Sequence, residues 1–207
     1  MEAVSGFDQA VARARALADT GTRQVLGIVG APGAGKSTLA SALADAVDAV
    51  VVPMDGFHLA QRELERLGRA DRKGAPDTFD ASGFVALLRR LQTADAPVTY
   101  APEFRREIEE PIAGAIAVPR DAPLVIVEGN YLLVDEPPWD QVPRLLDECW
   151  FVELDEHVRL DRLIARHEAH GRTPEQARAF AEGSDQANAA LIAGTRERAD
   201  WVIRLTD

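Results

Sequence analysis

Gly30-Ala31-Pro32-Gly33-Ala34-Gly35-Lys36-Ser37-Thr38 is the stretch whose reading decides the fold. It lies between an apolar run, Val25 to Val29, and a helical pattern from Leu39 to Val47, so strand, loop and helix come in the order that a phosphate-binding loop requires. In the pattern G-x-x-x-x-G-K-[ST] the glycines let backbone N–H groups wrap an anion at the start of the following helix. Lys36 then reaches terminal phosphates and the Ser37 hydroxyl ligates Mg²⁺. Lysine is scarce here, Lys36 and Lys73 being the only two, and a fortuitous match is on the order of one in a thousand. Gly30, Ala31, Pro32, Gly33, Ala34, Gly35, Lys36, Ser37 and Thr38 are therefore the expected nucleotide-binding residues.

The chain has 207 residues, 46% of them hydrophobic, enough for one substantial core and too few for two large domains. One domain, 1–207, is expected, with an insertion at about 62–119 and a lid at about 156–173. A formal net charge of −11 argues against a nucleic-acid partner, because the field of the protein repels phosphates, so phosphate chemistry must rest on local positive charge. The one cysteine, Cys149, sits in the apolar run Cys149-Trp150-Phe151-Val152 and reads as a core thiol. Met1 to Gly21 lacks the apolar centre of a signal peptide, and nowhere are there 18 consecutive apolar residues. A cytoplasmic protein with no membrane partner is expected.

Phe7, Val11, Ala14, Leu17 and Ala18 recur at helical spacing and predict a leading helix over Phe7 to Ala18. Five short β-branched or aromatic runs, Val25–Val29, Ala49–Val52, Leu124–Val127, Trp150–Leu154 and Trp201–Leu205, are separated by helical patterns. Their apolar character is continuous rather than alternating, which marks strands covered on both faces. The expectation is an α/β fold, a three-layer α/β/α arrangement around a five-stranded parallel sheet. Between the second and third runs, Arg62 to Pro119 is more polar and holds one clear helix, with Ser82 as its expected cap and Phe84, Leu87, Leu88 and Leu91 facing inward. The rest of that stretch, punctuated by Pro97, Pro102, Pro111 and Pro119, reads as an insertion over the carboxyl ends of the strands.

Asp55 follows Val50-Val51-Val52-Pro53-Met54 and projects from a strand end toward the phosphate loop, where a carboxylate can take or orient the proton of an attacking hydroxyl. Glu128 ends the run Leu124-Val125-Ile126-Val127, the usual place for a carboxylate serving Mg²⁺. Ser37, Asp55 and Glu128 are the expected metal residues. Arg159, Arg162 and Arg166 recur at i, i+3 and i+7, and Arg162 and Arg166 are read as catalytic arginines on a lid, beside Lys36 and Asp55. His58 lies three residues beyond Asp55, at the expected acceptor pocket. His157, His167 and His170 read as surface or packing residues. Tyr100, Phe104, Arg105 and Arg106 either line the pocket or serve packing and salt bridges.

Four blocks resemble the P-loop kinases that include uridine kinase, phosphoribulokinase and bacterial pantothenate kinase: Gly30–Thr38, Asp55-Gly56-Phe57-His58, Lys73-Gly74-Ala75-Pro76-Asp77-Thr78-Phe79-Asp80, and Glu128-Gly129-Asn130-Tyr131 with its flanks. Arg159 through Arg166 to Gly171-Arg172 is similar to the family's lid, and Asn188 to Asp200 to its closing segment near the adenine. The resemblance implies a P-loop nucleoside triphosphate hydrolase fold and an ATP:alcohol phosphotransferase using ATP and Mg²⁺. It further implies that Asp55 activates the acceptor and that the Lys73–Asp80 block borders it; with the readings above, Asp55, His58, Asp80, Tyr100, Arg105, Glu128 and Asn130 are the expected acceptor residues. Asp80 has a second reading, as the cap of the next helix.

Uridine kinases have tyrosine where this chain has His58, and pantothenate kinases are considerably longer. The nearest likeness is to short bacterial members labelled, by association with sugar uptake, as fructose kinases. A sugar or similar polyol is thus the first expectation for the acceptor, with pantothenate or a uridine-like nucleoside as alternatives and a homodimer as a possible assembly. A GTPase-type switch lacks its Asn-Lys-x-Asp motif here, since Gly35 and Arg72 precede the two lysines. A non-catalytic nucleotide-binding regulator is the remaining reading of another class, and Asp55 and Glu128 speak against it.

Overall fold

The computed structural model describes residues 2–4, 6–169 and 171–205; His170 lies outside the described residues. The elements in chain order are β1 (Glu2–Val4), α1 (Phe7–Ala18), β2 (Gln24–Val29), α2 (Lys36–Val47), β3 (Val50–Pro53), α3 (Gln61–Leu67), α4 (Ala81–Thr93), β4 (Val98–Arg105), β5 (Glu110–Pro119), β6 (Leu124–Gly129), β7 (Glu148–Glu153), α5 (Glu156–Ala169), α6 (Pro174–Glu182), α7 (Ser184–Ala193) and β8 (Trp201–Arg204).

The five runs read as strands form one parallel sheet, and β1 extends its edge beside β8, giving the order β1-β8-β7-β2-β6-β3. Central β2 shows why those runs are continuously apolar. Val25 and Val29 enter the core on one face, Leu26 and Ile28 the core on the other. On the second face α1 contributes Ala10, Ala14 and Leu17, and α2 contributes Leu39, Ala40 and Leu43. On the first face lie Phe84, Leu87, Leu88 and Leu91 of α4, with Tyr131 to Val134 and Trp139. β1 is three residues long, too short to carry a strand signal of its own; its register with β8 supplies the pairing.

The stretch 62–119 is only in part an insertion over the strand ends, because α4 within it is one of the helices that cover the sheet. Its cap is Asp80 rather than Ser82: the Asp80 carboxylate accepts from the Gly83 N–H at 2.8 Å, and Ser82 is exposed. After α4 the chain folds as an antiparallel ribbon, β4 with β5, whose register shifts between Ala101 and Glu103, on either side of Pro102. Proline has no N–H to give to a ladder, so a bulge is where such a strand tolerates it, and the same prolines break the alternation that would mark strands in the sequence.

The ribbon is seated on the backbone after β3. A Cβ on Gly56 would lie 2.4 Å from the Pro102 carbonyl oxygen, so glycine alone permits this approach. Among the described residues no helix is long and apolar enough to cross a membrane.

Replacing Asp80 with Ala is expected to lower unfolding free energy by about 1 kcal/mol, the usual worth of an N-cap. Ser82→Ala should stay within roughly 0.5 kcal/mol. Urea denaturation of both variants checks the assignment, and the reverse order of effects would contradict it.

Candidate active site

At the end of β2 the chain turns through Gly33 and Gly35, with φ of 82° and 92°, and enters α2 at Lys36. A side chain at Gly35 would be strained, so glycine is what lets the loop double back into a helix. The first N–H groups of α2 have no intrahelical partner and no side-chain cap, which leaves the positive end of a 12-residue helix beside Lys36 and Ser37 in a cleft of about 450 Å³.

Lys36 is buried, and its Nζ donates to the Ala31 carbonyl at 3.1 Å. Burial pulls the ammonium's pKa down, while the charges of Glu128 and Asp55 hold it up. Glu128 is 6% exposed and accepts from the Ser37 hydroxyl at 3.1 Å. Burial pushes its carboxyl above the usual range and Asp55 adds to that, against the opposing pull of Lys36 and the Ser37 hydrogen bond. β3 and β6 are parallel neighbours with Pro53 opposite Glu128, so the turn Met54–Phe57 after β3 brings Asp55 to the same edge of the sheet.

Uncapped N–H groups, a buried ammonium and a hydroxyl bonded to a carboxylate suit a polyphosphate carrying a divalent cation. Among the described residues no group of three His, Cys, Asp or Glu side chains stands ready to hold a metal alone. Mg²⁺ at Ser37, Asp55 and Glu128 would therefore take phosphate oxygens and water as its other ligands.

His58 also lines the cleft, and its Nδ1 lies 2.8 Å from the Asp55 carbonyl oxygen. A carbonyl only accepts, so Nδ1 carries the hydrogen and Nε2 of the neutral ring is left as an acceptor. The ring lies between those of Phe79 and Phe104, with centroids at 4.0 and 4.7 Å. Burial holds the imidazole pKa below its ordinary value, with the Asp55 charge and carbonyl pulling the other way. From the tip of the β4–β5 ribbon, Arg106 places Nη2 3.5 Å from Asp55 Oδ2. Lys73, Gly74 and Phe79 of the Lys73–Asp80 block line the same wall, tied down by hydrogen bonds from the Tyr131 hydroxyl and Asn188 to the Gly74 carbonyl.

The cleft thus gathers Pro32, Lys36, Ser37, Asp55, His58, Glu128, Asn130 and Arg166 from the residues read in the sequence. Gly30, Ala31, Gly33, Ala34, Gly35 and Thr38 of the phosphate loop are not among the residues that line it, and four of the catalytic and acceptor residues read in the sequence stand apart from it. Asp80 caps α4. Tyr100 is 57% exposed, and Arg105 is exposed and pairs with Glu103 at 3.7 Å, because neighbours along a strand alternate sides and Phe104 holds the inner one. Arg162 is exposed and outside the cleft lining. The phase of α5 is set by Leu163, fully buried, and Arg159, 2% exposed, and the turn that follows them carries Arg166 and His167 to the cleft.

Arg159 works from behind the phosphate loop: Nη1 donates to the Pro32 carbonyl at 3.0 Å, and Nε and Nη2 reach Glu156. His167, read as a surface or packing residue, lines the cleft and meets Asp185 at 2.7 Å. Its position four residues after Leu163 was the available signal. Gln61, Glu109, Phe180 and Asp185 also line the cleft and had no motif to mark them. Arg172 lies over the Phe180 ring, 3.4 Å from its centroid, and its buried Nη1 has no partner among the described residues.

A histidine whose folded pKa is depressed contributes stability that is lost as pH falls from about 6.5 toward the lower folded value, since the unfolded chain binds the proton first. The stability difference between the parent chain and His58→Gln should therefore shrink between pH 7.5 and 5.5 in urea titrations. A difference independent of pH would show that His58 is not held neutral.

A model of the "Phosphoribulokinase / Uridine kinase family" matches residues 25–206. The Schizosaccharomyces pombe protein named "Putative uridine kinase" is 32% identical over 97% of this chain and 91% of its own length. Among solved structures, the "putative fructose transport system kinase" from Silicibacter sp. TM1040 superposes with a TM-score of 0.86 at 38% identity, over 95% of this chain and 98% of the other. YFH7 from Saccharomyces cerevisiae shares the fold, with a TM-score of 0.85 at 18% identity over 98% and 99% of the two chains. With the matched span running from β2 to the end of β8, the chain belongs to the phosphoribulokinase/uridine kinase family of ATP-dependent P-loop kinases.

Proposed function

We propose that this protein transfers the γ-phosphoryl group of ATP, bound with Mg²⁺, to a hydroxyl of a small polar metabolite, a sugar or sugar-like polyol in the first place. One observation carries the reading. One cleft is lined together by Pro32, Lys36 and Ser37 of the phosphate loop and by Asp55 and the rings of His58, Phe79 and Phe104. The name of the Silicibacter structure refers to fructose transport and that of the fission-yeast relative to uridine. His58, in the position where uridine kinases have tyrosine, weighs toward the first. Rings against the carbon face of a polyol, with the polar Gln61 and Asn130 around them, suit such an acceptor.

Bound MgATP supplies an electrophilic phosphorus and a leaving group whose charge the cation spreads. Asp55 accepts the proton of the acceptor hydroxyl and orients its oxygen in line. Lys36 and Arg166, both desolvated, answer the charge on the transferring oxygens, where a low dielectric strengthens them. Arg159 keeps the phosphate loop in place through Pro32.

Coupled ADP-release assays over sugars, polyols, nucleosides and pantothenate test the assignment. Lys36→Met should lower kcat about 100-fold or more with the fold intact by circular dichroism. Asp55→Asn should keep Mg²⁺-dependent nucleotide affinity and lose transfer by a factor on the order of 10² to 10⁴. Full activity in Asp55→Asn would remove it from catalysis, and nucleotide binding without transfer to any acceptor would point to a regulator instead.

A further inference from the structure

We propose that the acceptor carries a fixed negative charge of its own, a carboxylate or a phosphate ester, held between Arg106 and Lys73 while its hydroxyl meets Asp55. This rests on the kinase reading above and narrows it to one substrate class. The chain is strongly acidic, yet one of its two lysines is spent on this wall of the cleft, where the side chain is only 17% exposed. Lys73 donates to the Glu109 carbonyl at 2.7 Å, lies 3.4 Å from the Glu109 carboxylate and stands 5.2 Å from the Phe104 ring centre. The Glu109 side chain is 60% exposed, so that ion pair is weak and easily exchanged for a better anion.

Arg106 reaches in from the ribbon tip, and its contact with Asp55 at 3.5 Å is a charge contact rather than a full hydrogen bond. A guanidinium has five donors in a planar fork that matches a carboxylate or phosphate in two places, and this single contact leaves that fork available.

Arg106 and Lys73 both act by charge on His58, and Arg106 also acts on Lys36, Glu128 and Arg166, so it stands where the two halves of the cleft meet. Lys36 belongs to the phosphate loop and Arg166 to α5, whereas Arg106 and Lys73 come from the ribbon and the loop that frame His58, Phe79 and Phe104. An uncharged polyol here would leave both cations facing a neutral guest as water is expelled. A charged guest offsets that desolvation and leaves Asp55 to the hydroxyl.

Matched acceptors separate charge from shape: glycerol with glycerate and glucose with gluconate for the carboxylate, fructose with fructose 6-phosphate and ribose with ribose 5-phosphate for the ester. Each is measured on the full chain by ADP release and by calorimetry in the presence of MgADP. In at least one pair the anionic member should exceed its neutral partner about 10-fold or more in kcat/KM, with an advantage that shrinks as salt is added. Arg106→Gln and Lys73→Gln should each raise the KM for that acceptor by about 10- to 100-fold and leave the KM for MgATP within about twofold, with Arg106→Lys recovering part of the loss.

Neutral members used as well as or better than charged ones would overturn the inference and leave the kinase reading standing. So would anionic members that neither bind nor react on protein that binds MgADP, or an Arg106→Gln defect confined to kcat. Absence of any Mg²⁺-dependent nucleotide affinity would instead bring down the kinase reading, and this inference with it.

Discussion

The ammonium of Lys36, buried beside the carboxylate of Glu128 at the edge of the sheet, is the interaction on which the site depends. Neither charge is tolerable there alone. Burial drives each toward its neutral form; Lys36 resists through the charges of Glu128 and Asp55, and Glu128 resists through Lys36 and the Ser37 hydrogen bond while the Asp55 charge works against it. A polar pair of this kind is stable only when both strands and the loop hold their relative positions, so the parallel pairing of β2 with β6 and the glycine turn into α2 are demanded by it. What results is a desolvated positive site at a helix start, in a protein whose overall charge is negative.

Around that pair the acceptor side is assembled from parts that are distant in sequence. Asp55 follows β3, the Lys73–Phe79 loop leads into α4, and Arg106 crowns a ribbon that touches the main fold where Gly56 lets the Pro102 carbonyl come close. Rings meet on this side, His58 between Phe79 and Phe104, and they exclude water from one wall while cations stand along it. The division of labour is therefore spatial. On the proposed reading the sheet edge and α2 take the phosphates, and the ribbon with its neighbouring loop takes the acceptor.

Much of this was legible in the chain. Continuous apolar runs marked five buried strands, and the loop between the first run and its helix marked the nucleotide end, because each of those signals is local and periodic. Asp55 and Glu128 were legible from the strand ends they follow, where a parallel sheet must present them, and His58 from its place three residues beyond Asp55. Arg162 was misplaced because a run of arginines at i, i+3 and i+7 fixes a stripe but not which side of it the core takes; buried Leu163 and Arg159 decide that. Tyr100, Arg105 and Asp80 fail for a related reason. Strand alternation through a bulge, and a capping bond to the next turn, turn side chains away from the cleft that their sequence neighbours enter.

By itself, then, the sequence determined the α/β class, the phosphate loop and the strand-end carboxylates, since hydrophobic period and backbone chemistry act over a few residues at a time. Only the tertiary structure decided that β1 joins the sheet, that 98–119 pairs as a ribbon, and that Arg106 and His167 face the cleft. Those outcomes depend on contacts across tens of residues, such as Pro102 on Gly56 and the neighbouring ends of β3 and β6, and no local period encodes them.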